Sequence, residues 1–107
     1  MSTPEEEHAL VDRLAFNMGM KLAANRDRSH WNRSRQWYLL RRLREEVDEL
    51  SYAVNHGEGK DAWAEAADVA NFAAMIADNQ SLEEYRKYQR ANEAPTVYSD
   101  PTEKRKS

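Results

Sequence analysis

Residues 61–78, with the sequence DAWAEAADVANFAAMIAD, decide the fold expected for this chain. Alanine and large apolar side chains fall on nearly every side of a helix built from this stretch, which predicts a buried α-helix. Glu65, Asp68 and Asn71 interrupt it at intervals of three residues, so they lie along one strip of that helix. An ionised carboxylate in an apolar interior costs several kcal/mol unless a partner, a proton or a metal offsets that cost.

The preceding segment supplies a second group of acids. Leucine and valine recur there at intervals of three and four residues and predict a helix from about Arg35 to His56, with this stripe buried: Leu39, Leu43, Val47, Leu50 and Val54. Gly57 is expected to end the helix in a left-handed conformation. A short connection over 57–60 favours antiparallel packing, which brings Glu46 and Glu49 towards Glu65 and Asp68.

Two further helices are expected at the ends of the chain. Thr3 and Pro4, followed by three glutamates, predict the start of a first helix over Pro4–Asn25. Its apolar stripe contains Leu10, Leu14, Met18 and Leu22. Ser81 and Glu84 form a capping-box pattern that predicts a fourth helix over 82–92.

The sequence therefore predicts an all-α, four-helix bundle. The domain covers residues 1–94, and a charged tail over 95–107 is expected to be disordered.

Size and composition limit the other classes of protein. With 107 residues, 40% hydrophobic content and a mean hydropathy of −1.00, the chain offers little apolar surface for a large core, so an oligomer is expected. The sequence contains no cysteine, which excludes disulfides and thiolate metal sites. No apolar stretch approaches the roughly 20 residues of a membrane span, and the amino terminus is acidic. A soluble, cytoplasmic protein without a membrane partner is expected.

Converging carboxylates indicate a divalent cation. Hard oxygen ligands without nitrogen or sulfur favour Mg²⁺, with Mn²⁺ as the alternative, and leave positions open for water and for substrate phosphates. The competing interpretation is that these acids are solvated surface charges, which is the usual fate of glutamate on an amphipathic helix.

The acids also carry a family resemblance. Glu45-Glu46-Val47-Asp48-Glu49, followed by Glu65-Ala66-Ala67-Asp68, resembles the EExxE…ExxD signature of the MazG-like all-α nucleoside triphosphate pyrophosphohydrolases, which are related to dimeric dUTPases. The segments LRRLREEVDEL (40–50) and EAADVANF (65–72) resemble the two metal-binding helices of that family, and residues 16–25 resemble its preceding helix. The resemblance covers about residues 16–92.

This resemblance implies Mg²⁺-dependent hydrolysis of a (deoxy)nucleoside triphosphate to the monophosphate and pyrophosphate. It assigns the metal to Glu46, Glu49, Glu65 and Asp68, and the catalytic role to Glu46 and Glu49 with Glu45 as a further acid that binds a second ion or accepts a proton from water. Related enzymes assemble as dimers or tetramers, occur in bacteria and phages, and cleanse or bias nucleotide pools. For a phage protein the location would be the host cytoplasm.

Candidates for binding the substrate come from the resemblance and from side-chain chemistry. The resemblance implies that basic residues before and after the metal helices bind phosphates. The amide of Asn71 both donates and accepts hydrogen bonds and could read a sugar or base, and a tryptophan ring could stack on a base. The candidates are Lys21, Asn25, Trp31, Asn71, Lys87 and Arg90. Trp37 is a second candidate for base stacking. The alternative role for the tryptophans is in the core or at a subunit interface, and for the basic residues it is plain surface.

Three other functions compete with this one. A di-iron bundle needs two Glu-x-x-His units, and the sequence has one, which ends at His8. A helical nucleic-acid-binding or regulatory module would use the basic segment Arg26–Arg44, but the chain as a whole is acidic, with a pI of about 5.6. A homologue that keeps the fold without catalysis is the third alternative. Because all the expected acids are present, the enzyme is the favoured hypothesis.

Overall fold

The computed structural model describes residues 1–26, 31–57 and 59–93. Over these ranges the chain forms three α-helices and one short 3₁₀ helix, without any strand. The α-helices are α1 (Pro4–Ala24), α2 (Gln36–His56) and α3 (Gly59–Glu93), and the 3₁₀ helix (Trp31–Arg33) precedes α2. The all-α class is confirmed. The tail over 95–107 lies outside the described residues.

The start of α1 follows the predicted capping chemistry. The backbone N–H of Glu6 donates to Thr3 Oγ1 at 3.1 Å, and the backbone N–H of Thr3 donates to Glu6 Oε1 at 2.8 Å. Pro4 occupies the first turn, where a missing N–H costs nothing. The helix ends at Ala24, one residue before the predicted end, and Asn25 forms its C-cap.

Helix α3 lies between the other two helices. Both α1 and α2 pack against it, whereas they make few contacts with each other. Arg13 stacks over the ring of Trp63, and further along both helices Asn71 Nδ2 donates to the carbonyl of Met18 at 3.2 Å. These two contacts show that α1 runs parallel to α3. The short connection after His56 makes α2 antiparallel to α3, as predicted.

The amide side chains of Gln36 and Asn79 fix the beginning of α2 against α3. Asn79 Nδ2 donates to the carbonyl of Ser34 at 2.8 Å, and Gln36 Nε2 donates to the carbonyl of Ile76 at 3.1 Å. Asn79 is only 8% exposed, so its amide depends on the carbonyl of Ser34 and on Gln36 Oε1, which lies 3.4 Å from Asn79 Nδ2. The register of the α2/α3 hairpin is therefore set by hydrogen bonds at one end and by the short connection at the other.

The apolar stripe predicted for α2 is only partly buried. Leu39 is buried and Leu43 and Leu50 are half-buried, but Val47 and Val54 are 46% and 68% exposed. The buried line on α2 instead consists of Leu39, Glu46 and Ala53. These three residues are spaced seven apart, so they share one side of the helix. Helix α2 is therefore rotated about its axis relative to the prediction, and Glu46 rather than Val47 faces α3. The prediction that Val47 and Val54 are buried is therefore wrong for a single chain.

The stripe predicted for α1 differs from the structure at one residue. Leu14, Met18 and Leu22 are half-buried, whereas Leu10 is 60% exposed. Arg13 lies level with Trp63, close to the beginning of α3. Leu10 lies one turn before Arg13, at the end of the contact between α1 and α3, and most of its side chain is left uncovered by the described residues.

The third and fourth predicted helices form one continuous helix. Helix α3 has 35 residues and passes through Ser81 without a break, so the separate helix over 82–92 is wrong and Ser81 is not an N-cap. No glycine or proline occurs between Gly59 and Glu93 to interrupt the hydrogen bonds of the backbone. Gly57 also differs from the prediction, because its φ of −96° and ψ of −173° are extended rather than left-handed.

The core of one chain is small. The buried apolar residues among those described are Leu39, Ala53 and Ala67, and the buried polar residues are Glu46, Asn71 and Asn79. Many large apolar side chains on the helices are instead exposed. None of the helices in the described ranges combines the length and apolar character needed to span a bilayer.

Ser81→Ala tests the continuity of α3. In a helix interior this change raises the free energy of unfolding slightly, by up to about 0.5 kcal/mol, because alanine has the higher helix propensity. Loss of a true N-cap would instead cost about 0.5–2 kcal/mol. Urea unfolding followed by far-UV circular dichroism measures the sign, with Thr3→Ala as the matched change at a real cap. A clear loss of stability in Ser81→Ala would indicate a helix boundary at this position.

Candidate functional site

Three of the predicted acids come together at the contact between α2 and α3. Glu46, Glu49 and Glu65 each place one carboxylate oxygen within 4.8 Å of the others. Glu46 is buried, Glu65 is half-buried and Glu49 is exposed. Glu46 and Glu49 are three residues apart on α2, and the antiparallel hairpin brings Glu65 of α3 opposite them. The three carboxylates therefore extend from the buried contact between α2 and α3 to the protein surface.

The spacing of these oxygens suits a single divalent cation. Ligand oxygens on opposite sides of one Mg²⁺ lie about 4.2 Å apart, which is twice the usual Mg–O distance of about 2.1 Å. A small rotamer change closes the remaining difference from 4.8 Å. All three ligands are hard carboxylate oxygens, which fits Mg²⁺ or Mn²⁺ and does not identify the ion.

Glu46 is the most electrostatically perturbed of the acids. Its pKa is raised above the ordinary value of 4.5, first because burial disfavours the charged form and then because Asp68, Glu49 and Glu65 repel it. The positive charge of Arg42 lowers the pKa of Glu46, and Arg42 Nη2 donates to Glu46 Oε2 at 3.0 Å. The repulsion from the other acids and the cost of burial exceed this attraction. A cation bound among the carboxylates would remove the imbalance.

Asp68 lies beside the three-carboxylate group. Its Oδ2 atom pairs with Lys21 Nζ at 3.1 Å, and both side chains are largely shielded from solvent. Asp68 is three residues after Glu65 on α3 and is close enough to raise the pKa of Glu46. The structure therefore brings Glu46, Glu49 and Glu65 together, while Asp68 is held next to them by a lysine from α1.

Arg42 is a site residue that the sequence analysis did not select. Its guanidinium contacts the carboxylates of Glu45 and Glu46 and lies 5.0 Å from the centre of the Phe72 ring. The available signal was its position four residues before Glu46, the spacing of an intrahelical ion pair. That signal was obscured because Arg42 is one of several arginines in a basic segment.

Glu45 has a different environment from the three clustered acids. Its side chain is half-exposed, contacts Arg42 and lies 3.9 Å from Arg41. These ion pairs hold it outside the group formed by Glu46, Glu49 and Glu65. A catalytic role for Glu45 stays a prediction and would require it to leave Arg42.

A cavity of about 500 Å³ opens next to Glu46 and Asp68. It lies between α1, α2 and α3 and combines cationic, aromatic and amide side chains. Its lining includes four of the predicted substrate-binding residues together with three residues from α2 and α3: Lys21, Asn25, Trp31 and Asn71, and Tyr38, Arg42 and Phe72. This volume is within the range of small-molecule sites.

Asn71 presents an unused acceptor in this cavity. Asn71 is 5% exposed, and its Nδ2 donates to the carbonyl of Met18. Among the described residues, no donor reaches the buried Oδ1 atom of Asn71. A buried acceptor without a partner is costly, so a hydrogen-bond donor that enters this cavity would find Oδ1 available.

A second cavity, of about 560 Å³, lies on the other side of the acids. Its wall is acidic and includes Glu45, Asp48, Glu49 and Glu65. The three clustered carboxylates therefore lie between two cavities that differ in the charge of their walls. One contains Lys21 and Arg42, whereas the charged residues of the described chain that line the other are all glutamate or aspartate.

The remaining predicted residues lie away from these cavities. Trp37 is exposed on α2, and its ring meets Tyr38 edge-on and faces Arg41. Lys87 and Arg90 are exposed near the end of α3, and Lys87 is 19 residues beyond Asp68. At 1.5 Å per residue this is about 28 Å, too far for Lys87 to reach the candidate site formed by Glu46, Glu49 and Glu65 in the same chain. Their role in phosphate binding stays a prediction that requires a second subunit.

No protein-family model matches this sequence, and no curated protein or solved structure matches the chain. The similarity to the MazG-like pyrophosphohydrolases therefore rests on the motifs quoted above. The site itself defines an acidic helical hairpin with a neighbouring cavity that contains both cationic and aromatic side chains.

Glu46→Gln tests the burial of charge at this site. Because the pKa of Glu46 is raised on folding, its contribution to stability is complete below its ordinary value of 4.5 and is lost as pH rises through the raised pKa. In metal-free buffer near pH 8, the neutral glutamine variant should unfold at a higher temperature than the unsubstituted protein. The difference should shrink towards zero as the pH falls below about 4.

Thermal unfolding in EDTA across this pH range measures the effect. Asp48→Asn is the matched control, because it removes an exposed acid from the same helix. A glutamine variant that is less stable at every pH would show that the Arg42 contact outweighs the burial of Glu46.

Proposed function

We propose that this protein hydrolyses a (deoxy)nucleoside triphosphate to the monophosphate and pyrophosphate with Mg²⁺, or alternatively Mn²⁺, as cofactor. The observation that carries the proposal is the convergence of Glu46, Glu49 and Glu65 beside a cavity lined by Lys21 and Arg42. Carboxylates that bind a divalent cation, next to cationic and aromatic groups, are the components that a triphosphate site requires. The motif resemblance to the MazG-like group supports the same assignment.

The acids would bind the metal. Glu46, Glu49 and Glu65 are the ligands in this proposal, with Asp68 as the fourth once it separates from Lys21. A bound Mg²⁺ would neutralise phosphate charge and lower the pKa of a bound water. Lys21 and Arg42, which pair with Asp68 and Glu46, would then be available to contact phosphate oxygens.

The neighbouring cavity would hold the nucleoside. Trp31, Tyr38 and Phe72 provide aromatic surface for a base, and Trp31 is held in place because its Nε1 donates to Asp78 Oδ2 at 2.8 Å. The unused Oδ1 atom of Asn71 would accept a hydrogen bond from an N–H or O–H group of the base or sugar. Asn25 lines the same cavity.

The reaction would use water as the nucleophile. The water oxygen attacks the α-phosphorus, the bond from that phosphorus to the bridging oxygen breaks, and pyrophosphate leaves with that oxygen. The proton released by water passes to a carboxylate, for which Glu49 and Glu45 are the candidates, since both line the acidic cavity. Arg42 and Lys21 stabilise the charge on the transferring group.

The setting proposed for this activity is the cytoplasm of a bacterium or of a phage-infected host, where the enzyme would cleanse or bias the nucleotide pool. We propose a homodimer or homotetramer as its working form. The small buried core of one chain and its many exposed apolar residues support assembly. The arrangement of Arg41 and Arg42, which pair with acids on their own helix, does not favour a nucleic-acid-binding surface.

Pyrophosphate release tests the activity directly. Incubation with each of the eight common NTPs and dNTPs should yield pyrophosphate and a monophosphate in Mg²⁺ and none in EDTA. Retention of DNA without hydrolysis of any nucleotide would contradict the enzyme and favour the binding module.

Glu49→Gln and Asp68→Asn test the assignment of the ligands. Each should lower kcat/KM by about 100-fold or more, because a charged ligand is lost from the site that stabilises the transition state. Helicity should stay unchanged, as measured by circular dichroism. Glu83→Gln, which changes an exposed acid near the end of α3, should retain full activity. Normal turnover in either site variant would remove that residue from the ligand set.

A further inference from the structure

The ion pair between Lys21 and Asp68 joins two helices at the edge of the acidic site. Lys21 lies in the last turn of α1, and Asp68 lies one turn after Glu65 on α3. Lys21 Nζ and Asp68 Oδ2 are 3.1 Å apart, and the two side chains are only 34% and 20% exposed. A partly buried ion pair is screened by salt much less than an exposed one. The lysine therefore holds Asp68 more firmly than a surface lysine would.

The backbone of Lys21 is anchored, whereas its charged end is not. The backbone N–H and the side-chain Nδ2 of Asn25 both donate to the carbonyl of Lys21, at 3.1 Å and 3.0 Å. One turn earlier, the carbonyl of Met18 accepts a hydrogen bond from Asn71 of α3. The ammonium, in contrast, is carried on a flexible stem of four carbons. The charged end of Lys21 can therefore change its partner without any movement of α1.

The ammonium of Lys21 occupies a place beside the fourth predicted metal ligand. The three clustered acids place carboxylate oxygens within 4.8 Å of one another, whereas Asp68 is paired with Lys21. Asp68 is nevertheless close to this group, because its charge raises the pKa of Glu46. An ammonium on Asp68 would repel a divalent cation bound to the same carboxylate. An ion that arrives alone therefore competes with Lys21 for the fourth acid.

Arg42, the other basic residue of the site, is held by more contacts. It lies on the same helix as its acidic partners Glu45 and Glu46, and its guanidinium is 5.0 Å from the centre of the Phe72 ring. In the described part of the chain, the ion pair of Lys21 is with Asp68. When Asp68 turns to another cation, Lys21 therefore requires a new anion, whereas Arg42 keeps its contacts.

The neighbouring cavity offers a place for that anion. Lys21 and Asp68 both line the cavity of about 500 Å³, so an anion bound there lies next to both side chains. Phosphate oxygens accept charge-assisted hydrogen bonds from an ammonium, as carboxylate oxygens do. Transfer of the ammonium from Asp68 to a phosphate oxygen keeps the lysine paired and releases the carboxylate.

We infer that Lys21 is an internal counter-ion that makes metal binding depend on the phosphate chain of the substrate. In the free protein it pairs with Asp68 and weakens the affinity for a divalent cation. When a polyphosphate enters the cavity, the ammonium moves to a phosphate oxygen and Asp68 becomes a ligand. Metal and polyphosphate therefore each raise the affinity for the other, and thermodynamic linkage makes this effect reciprocal. The inference rests on the proposed metal site and gives Lys21 a positioning role in it.

Titration of the full chain with Mn²⁺ alone measures the competition without catalytic turnover, because electron paramagnetic resonance reports the free ion. Lys21→Met keeps an unbranched side chain and removes the charge. It should lower the dissociation constant for Mn²⁺ at least about tenfold, which is within the range usual for coupled sites. Lys21→Arg keeps the charge and should bind Mn²⁺ as weakly as the unsubstituted protein. Arg86, 18 residues beyond Asp68 on α3, forms an exposed ion pair with Glu83, so Arg86→Met is the matched control and should change nothing.

An Asp68→Asn background tests whether Lys21 acts through Asp68. In that background the lysine has lost its acidic partner, so the further change Lys21→Met should alter the dissociation constant for Mn²⁺ by less than about threefold. Equal tightening by Lys21→Met with and without Asp68 would show that the lysine acts only through its general field. That result would overturn the exchange of partners.

Inorganic pyrophosphate tests the second half of the exchange. It is a product of the proposed reaction and is not consumed by it, so its binding can be measured by calorimetry in saturating Mg²⁺. Lys21→Met should weaken this binding at least about tenfold, although the same change strengthens the binding of metal alone. Unchanged binding of pyrophosphate would overturn the transfer of the ammonium to phosphate.

The outcomes separate this inference from the proposed function. If neither the unsubstituted protein nor Lys21→Met binds Mn²⁺, the metal site is wrong and the inference is overturned with it. If both bind Mn²⁺ equally, or Lys21→Met binds it more weakly, only the counter-ion role is overturned. Circular dichroism verifies that each variant is folded, and Lys21→Gln provides the same loss of charge if Lys21→Met does not fold.

Discussion

Carboxylate charge held at a contact between two helices is the constraint on which the rest of this structure depends. Glu46 is buried against α3 and faces Glu65 and Asp68, so its pKa is raised. Lys21 and Arg42 reach the same acids from α1 and from the preceding turn of α2. Even so, the charged form of Glu46 is disfavoured. The charged form of Glu46 therefore costs the folded chain stability, and a cation bound among these acids would offset that cost.

The alanines of α3 limit the core of one chain. Ala67 is buried in the described structure, whereas the side of α3 that meets α2 carries larger side chains, including Glu65 and Phe72. Small side chains fill little volume, so few large apolar groups are buried in one chain. The helix that carries Glu65 therefore contributes little apolar bulk to the core.

Much of the fold was predictable because its signals are local. The capping box at Thr3, the ends of α2 and the antiparallel hairpin follow from short patterns, and the three acids follow from the spacing within each helix. The orientation of α2 about its axis was not predictable. Its leucines and valines suggest that Val47 and Val54 are buried, whereas in the structure Glu46 and Ala53 face α3. Ser81 has the residues of a cap, but a cap forms only where the backbone leaves the helix. The pairing of Lys21 with Asp68 joins residues 47 positions apart, which no local pattern reveals.

The unbroken course of α3 has a consequence for its far end. Helix α2 begins at Gln36, which is level with Ile76 and Gln80, so residues 82–93 extend beyond it. A free peptide of that length is marginally helical in water, because starting a helix costs more than extending one. In α3 the turns before residue 82 are already formed by packing against α1 and α2. Residues 82–93 therefore only extend an existing helix. Backbone amides should therefore exchange with solvent in a graded order, with protection falling steadily from Asn79 towards Glu93.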